Sequence, residues 1–151
     1  MDTEKVSEYL KQDHRANLLA AQEHLKPVLK NTSVIYSDFY SNEYGCEIYI
    51  KPENLQATGS FKLRGAYNKI ATLTEEEKSH GVICSSAGNH AQGVAFSAQQ
   101  KGIKSVIVMP SITPLVKVDA TKAYGAEVVL HGDVYDDAYA KAVKLSKEHG
   151  Y

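Results

Sequence analysis

From Val82 to His149, three short apolar runs alternate with three longer segments of helical pattern. That rhythm constrains the fold more than any other feature of the chain. Val82–Ser86, Ser105–Met109 and Glu127–His131 are dominated by valine and isoleucine and predict strands. Asn89–Lys101, Pro114–Tyr124 and Val134–His149 predict helices, closed by Gly102, Gly125 and Gly150, with Asp133 as N-cap of the last. Short apolar strands separated by helices form βαβ units in a parallel sheet. Right-handed crossovers bring the strand C-termini to one edge, where α/β folds hold their ligands. The expected class is α/β, three-layered about a parallel sheet.

Upstream, Lys5–Lys30 predicts a helix. Leu18, Ala21, Gln22, Leu25, Val28 and Leu29 recur at helical spacing, and Pro27 marks a break or a fresh first turn. Ser33–Tyr44 is polar and aromatic without a clear period. Cys46–Lys51 alternates as a strand does and delivers the chain to residues 53–66, Glu-Asn-Leu-Gln-Ala-Thr-Gly-Ser-Phe-Lys-Leu-Arg-Gly-Ala. Thr58 and Ser60 are N-cap residue types, and Phe61–Ile70 predicts a helix with Lys62 in its first turn. That end of a helix is positive and disfavours cations by about 0.3–1 kcal/mol, yet Lys62 and Arg64 both occupy it. The field and an apolar neighbour both disfavour a charged ammonium, and a neutral amine is the nucleophile that Schiff-base chemistry on an aldehyde requires. Most single lysines are solvated surface residues, so local physics leaves both readings open.

A second run, Ser85-Ser86-Ala87-Gly88-Asn89-His90, passes from a strand end into a helix N-terminus. Gly88 is expected to let the backbone turn tightly, and the unpaired helix N–H groups to form an anion site. Strand–glycine–helix turns are also common as plain connections.

Residues 53–66 resemble the cofactor-lysine signature of the threonine/serine dehydratase and serine racemase family. These are fold-type II pyridoxal-phosphate enzymes with a tryptophan-synthase-β-like fold. The resemblance implies that Lys62 bonds the aldehyde of pyridoxal 5′-phosphate and that Phe61 packs against the cofactor ring. Ser-Ala-Gly-Asn-His, residues 86–90, resembles the family's substrate-carboxylate loop. Ser86, Ala87, Gly88, Asn89 and His90 are thereby expected around the carboxylate. Asn89 would also bond the cofactor's phenolic oxygen, and His90 would contribute main chain rather than acid–base chemistry.

The resemblance runs from about Val34 to the last residue, with one departure at Thr32-Ser33-Val34, where Thr-Pro-Leu is expected. The family's run of adjacent glycines, which cradles the cofactor phosphate, and its later serine at the pyridine nitrogen have no counterpart here. All ten glycines are isolated. The chain is therefore expected to be the front portion of a longer enzyme. Residues 1–66 would belong to its larger domain and 67–151 would form the smaller α/β domain. Met109–Pro114 also resembles the family, but Thr113 as N-cap with Pro114 at N1 is helix-start chemistry. Lys117 reads as a surface cation. Asp133, Asp136 and Asp137 suit a helix N-terminus rather than a metal.

The remaining composition narrows the class. The 151 residues are 43% hydrophobic, enough for a compact core. Seventeen basic and eighteen acidic residues give a net charge of −1, and no basic stripe suggests nucleic acid. Cys46 and Cys84 lie in strand-like runs without metal-ligand spacing and read as buried free thiols in a reducing compartment. The acidic start Met1-Asp2-Thr3-Glu4 shows no signal peptide, and no apolar run matches a membrane span, so the expected location is cytoplasmic.

The activity that the resemblance implies is pyridoxal-phosphate-dependent deamination by the full-length enzyme. L-threonine would give 2-oxobutanoate, L-serine would give pyruvate, and both would release ammonia. Its partner is a small amino-acid substrate, with no nucleic acid or membrane, in a homo-oligomer when full length. The alternatives are serine racemase on the same fold and a non-catalytic folding or ligand-binding unit. Ala87 favours elimination over racemisation, because a methyl group beside Gly-Asn-His cannot relay a proton.

Overall fold

The computed structural model describes residues 13–151, so the first part of the expected Lys5–Lys30 helix lies outside the described residues. Helix α1, His14–Leu25, is capped by Asp13, whose carboxylate accepts from Ala16 N at 3.0 Å. It ends two residues before Pro27, which has no N–H to continue the helical ladder, while Lys26 keeps α-region backbone and donates its N–H to the Glu23 carbonyl at 3.4 Å.

The stretch without a clear period resolves into three pieces. Strand β1, Ile35–Tyr36, is followed by the cap Ser37 and helix α2, Asp38–Tyr44, which ends at Gly45 with φ of 66°. The expected strand Cys46–Lys51 shrinks to β2, Tyr49–Ile50, antiparallel to β1 with Ile35 opposite Ile50. The Ile48 N–H donates to the buried Ser41 hydroxyl at 2.9 Å rather than to a strand neighbour. Cys46, ahead of that strand, is exposed, which corrects the expectation of a buried thiol.

A short 3₁₀ turn, Glu53–Leu55, leads to helix α3, Lys62–Ala71. Helix α4, Glu75–His80, has no counterpart in the sequence reading. Its signal is nonetheless present as the capping box of Thr74 and Glu77. The Thr74 hydroxyl accepts from Glu77 N at 3.2 Å, and the Glu77 carboxylate accepts from Thr74 N at 2.8 Å.

The expected alternation follows as β3 Val82–Ser85, α5 Asn89–Lys101, β4 Ser105–Met109, α6 Leu115–Lys122, β5 Glu127–Leu130 and α7 Tyr135–His149. The three strands are parallel in the order β3-β4-β5, with Val82 beside Ser105 and Val106 beside Glu127. All five residues of the central β4 are buried. Side chains alternate across a strand, so Ile107 and Met109 meet Ala91, Val94 and Ala95 of α5, Ile70 of α3 and Val118 of α6. Val108 turns to the other face, against Ala138 and Ala142 of α7. Helices on both faces of a parallel sheet make the α/β, three-layer class expected from the sequence.

Two helix starts differ from expectation. Pro114, not Thr113, takes the cap position of α6, and the Thr113 hydroxyl is buried without a partner. Val134, not Asp133, caps α7. The Asp137 carboxylate reaches back to accept from Asp133 N at 3.1 Å and Val134 N at 3.4 Å, so the orphan donors are met from inside the helix.

Candidate active site

Lys62 is the first residue of α3, and Phe61 before it is the cap, with no side-chain cap bond. Thr58 and Ser60 therefore do not cap the helix. Their side chains are buried, and both hydroxyls lack a partner. Lys62 and Phe61 are exposed, and the Lys62 Nζ lies 4.6 Å from the Phe61 ring centroid. The apolar desolvation expected at Lys62 is absent in this arrangement. The second cation, Arg64, is paired with a carboxylate. Arg64 donates from Nε and from a terminal nitrogen to the two Glu53 oxygens, at 2.7 and 2.8 Å.

That ion pair is one of several ties on the segment leading to Lys62. Thr32 donates its hydroxyl to Glu53 at 2.9 Å, and Lys51 Nζ donates to the Thr32 carbonyl at 2.6 Å. The Arg64 hydrogen bond, with those of Thr32 and Gln56 and the Arg64 charge, outweighs burial and pulls the Glu53 carboxyl down to about 2. Buried Gln56 brackets Lys30, accepting from its N–H at 3.1 Å and donating to its carbonyl at 3.0 Å. Tyr124, beyond α6, donates its hydroxyl to the Ala57 carbonyl at 3.3 Å. Sequence reasoning did not single out Glu53, Gln56 or Tyr124. The signal for the first was a carboxylate eleven residues before an arginine, which only the folded turn makes a contact.

The second half of the site is the turn from β3 into α5. Helix α5 begins at Asn89, capped by Gly88 with no side-chain cap bond and no acidic residue in its first turn. Its leading N–H groups are open to an anion. Gly88 has φ of −146° and ψ of −145°, outside the left-handed region, so the turn does not rest on glycine's left-handed freedom. A Cβ added there would meet nothing within 4 Å. The Ser86 hydroxyl accepts from Gly88 N at 3.4 Å. Ala87 packs half-buried against the core under β4. Asn89 and His90 are exposed at the surface, yet partial desolvation of the ring, then the Lys62 charge, pushes the His90 imidazole below its ordinary value. His90 therefore senses the field of Lys62 across the α3–α5 contact.

The donor set fits pyridoxal phosphate in part. An accessible amine can take the aldehyde, a neighbouring aromatic ring can cover a planar heterocycle, an amide can reach a ring oxygen, and open N–H groups suit a carboxylate. Buried hydroxyls without partners also mark the site's approaches. Thr58 and Ser60 precede Lys62, Ser85 precedes the Ser86–His90 loop, and Thr113 follows β4 on the same strand edge. Each costs about 1–3 kcal/mol unless something bonds it.

A groove of about 640 Å³ lies elsewhere, beside the edge strand β3. Ile70, His80, Cys84, Val94 and Tyr151 line it, and it shares only His90 with the site. Burial pushes the Cys84 thiol up to about 12, so it is an inert apolar liner. Lys117 is exposed on α6. Among the described residues, no three His, Cys, Asp or Glu side chains group as metal ligands, and no helix is long and apolar enough to cross a membrane.

Comparison with known proteins agrees with this geometry. The family model described as pyridoxal-phosphate dependent enzyme matches residues 25–151. An L-threonine ammonia-lyase of Thermotoga maritima is 53% identical over 130 residues, 86% of this chain and 32% of that protein. Among solved structures, the processed form of threonine deaminase isoform 2 from Solanum lycopersicum superposes with a TM-score of 0.83 at 38% identity. That match covers 99% of this chain and 39% of the other. Serine racemase from Dictyostelium discoideum gives a TM-score of 0.83 at 34% identity, over 89% of this chain and 44% of the other. The chain spans about a third of the length of the curated relatives it matches.

Proposed function

The chain belongs to the pyridoxal-phosphate dependent enzyme family, and from that premise we propose that it is the lysine-bearing part of a threonine ammonia-lyase. The observation that carries the reading is the juxtaposition of two helix starts. Lys62, exposed at the head of α3, has its main chain against Gly93 of α5 and its charge felt at His90, in the first turn of that helix, which has no side-chain cap bond. Bound pyridoxal phosphate supplies an electron sink for a carbanion at the substrate Cα. Lys62 Nζ would hold the cofactor at its aldehyde carbon, and as a free amine it would take the substrate Cα proton. The Asn89 amide would bond the cofactor ring oxygen, and Phe61 would cover the ring face. The N–H groups from Gly88 to His90, with the Ser86 hydroxyl and the main chain of Ala87, bind the substrate carboxylate and so fix the Cα–H bond toward Lys62.

The net reaction converts L-threonine to 2-oxobutanoate and ammonia, and L-serine to pyruvate and ammonia. The β-hydroxyl leaves as water, and a water returns in hydrolysis. The reading carries with it a cytoplasmic, homo-oligomeric full-length enzyme acting in isoleucine biosynthesis or threonine catabolism. In that enzyme, residues 1–66 would join the larger domain and 67–151 form the smaller one.

The test is Lys62→Ala in the full-length protein. The variant is expected to lose both the visible imine band and all 2-oxobutanoate formation, while its fold is retained because the side chain is exposed. Covalently retained cofactor in that variant would sink the assignment.

A further inference from the structure

We infer that Gly93 is a positioning residue for Lys62, setting the spacing between the amine and the loop that carries Asn89; the inference rests on the site reading proposed above. Gly93 lies one helical turn after Asn89, on the same side of α5. A Cβ built on it would meet the Lys62 carbonyl carbon and oxygen at 3.2 Å each and Leu63 N at 3.4 Å. These are main-chain atoms at the head of α3, and they cannot rotate away as a side chain would. The close approach is therefore made by backbone on both sides, and it falls at the residue that bears the amine.

A glycine inside a helix is less favourable than alanine, so its presence calls for a gain elsewhere. Gly65 shows the contrast. It also sits within a helix, but a Cβ there would meet nothing within 4 Å. Within α5, the fully buried Ser97 donates its hydroxyl to the Gly93 carbonyl at 2.6 Å, which ties this turn of the helix together. Just past the contact, Leu63 is fully buried with Tyr67 and packs against Phe96 of α5. That packing resists movement of α5 away from α3. A methyl group at 93 must be accommodated by moving Lys62 relative to Asn89 and His90, by a few tenths of an ångström.

The experiment compares Gly93→Ala and Gly65→Ala with the parent chain. Each is incubated with excess pyridoxal phosphate and reduced with borohydride. Peptide mass spectrometry then gives the trapping at Lys62 relative to exposed Lys117. The parent is expected to favour Lys62. Gly65→Ala should keep that ratio. Gly93→Ala should lose roughly tenfold, a modest share of the roughly hundredfold that a 1 Å misplacement can cost. Its circular dichroism should match the parent, with amide shift changes concentrated at Lys62 and Leu63.

Equal trapping in Gly93→Ala and parent overturns the positioning role alone. Unfolding of Gly93→Ala also overturns it, because the contact would then be a packing requirement rather than a fine spacing. A parent without preference for Lys62 overturns the functional reading, and the inference falls with it.

Discussion

The two halves of the site are held by opposite kinds of force. The segment from Lys30 to Lys62 is tied down by polar bonds: Gln56 to the Lys30 main chain, and Glu53 to Arg64 and Thr32. The turn that carries Ser86 to His90 hangs instead on a parallel sheet and its apolar core, with Val106, Ile107, Val108 and Met109 at most 2% exposed. Apolar burial is non-directional and insensitive to pH, whereas an ion pair acts over one geometry and one range of protonation. The lysine side should therefore respond to acid and to single polar substitutions. The Ser86–His90 side should respond to lost volume.

Removing volume is the largest way to break that contrast. Ile107→Ala, at 0% exposure between α5 and its neighbours, should cost about 2–5 kcal/mol by lost transfer and the cavity left behind. Urea titration should show that loss at pH 7 and at pH 4 alike. A cost that changed strongly with pH would mean the body also relies on ionised groups.

Glu53→Gln is the polar counterpart. The exchange leaves Arg64 without its charged partner and should cost about 1.5–3 kcal/mol, the range for hydrogen bonds to charged groups. In the folded protein the Glu53 carboxyl stays ionised down to about 2, against an ordinary 4.5 in the unfolded chain. The pair's contribution is therefore complete above the ordinary value and is lost as pH falls from there toward about 2. Parent and Glu53→Gln should thus converge in stability across that acid window. A gap that persisted undiminished at the acid end would show that Glu53 holds the loop by shape rather than by charge.

The smallest stability effect tests where the two halves meet chemically. Ala87→Ser places a hydroxyl where a half-buried methyl packs on the core, at a cost of about 1 kcal/mol. In the full-length protein the parent should form pyruvate from L-serine and little D-serine, and the variant should raise the share of D-serine. A parent that makes D-serine as fast as pyruvate would shift the reading from dehydratase to racemase. No change on substitution would show that the inward packing of residue 87 keeps its side chain away from the substrate.

Much of the fold was legible because periodicity is a local property. Valine and isoleucine in short runs between helices could bury themselves only in a parallel sheet, and glycines 102 and 150 close their helices with left-handed backbone, as their positions implied. Helix α4 was equally legible from its Thr74–Glu77 capping box, although a six-residue helix carries too short a period to stand out. The caps were less so. Thr58, Ser60, Thr113 and Asp133 all have the right side chains, but burial or a competing carboxylate took them out of that role.

By itself, the sequence determined the α/β class and the order of the strands along the chain, and it pointed to Lys62 and residues 86–90 as the candidate site. Each of these depends on residue type and local spacing. Only the tertiary structure decided that Arg64 is silenced by Glu53, that Ala87 turns inward, and that the Lys62 main chain rests on Gly93. Those contacts join residues eleven or more positions apart, and their energies depend on distances of a few tenths of an ångström that no pattern of residue types encodes.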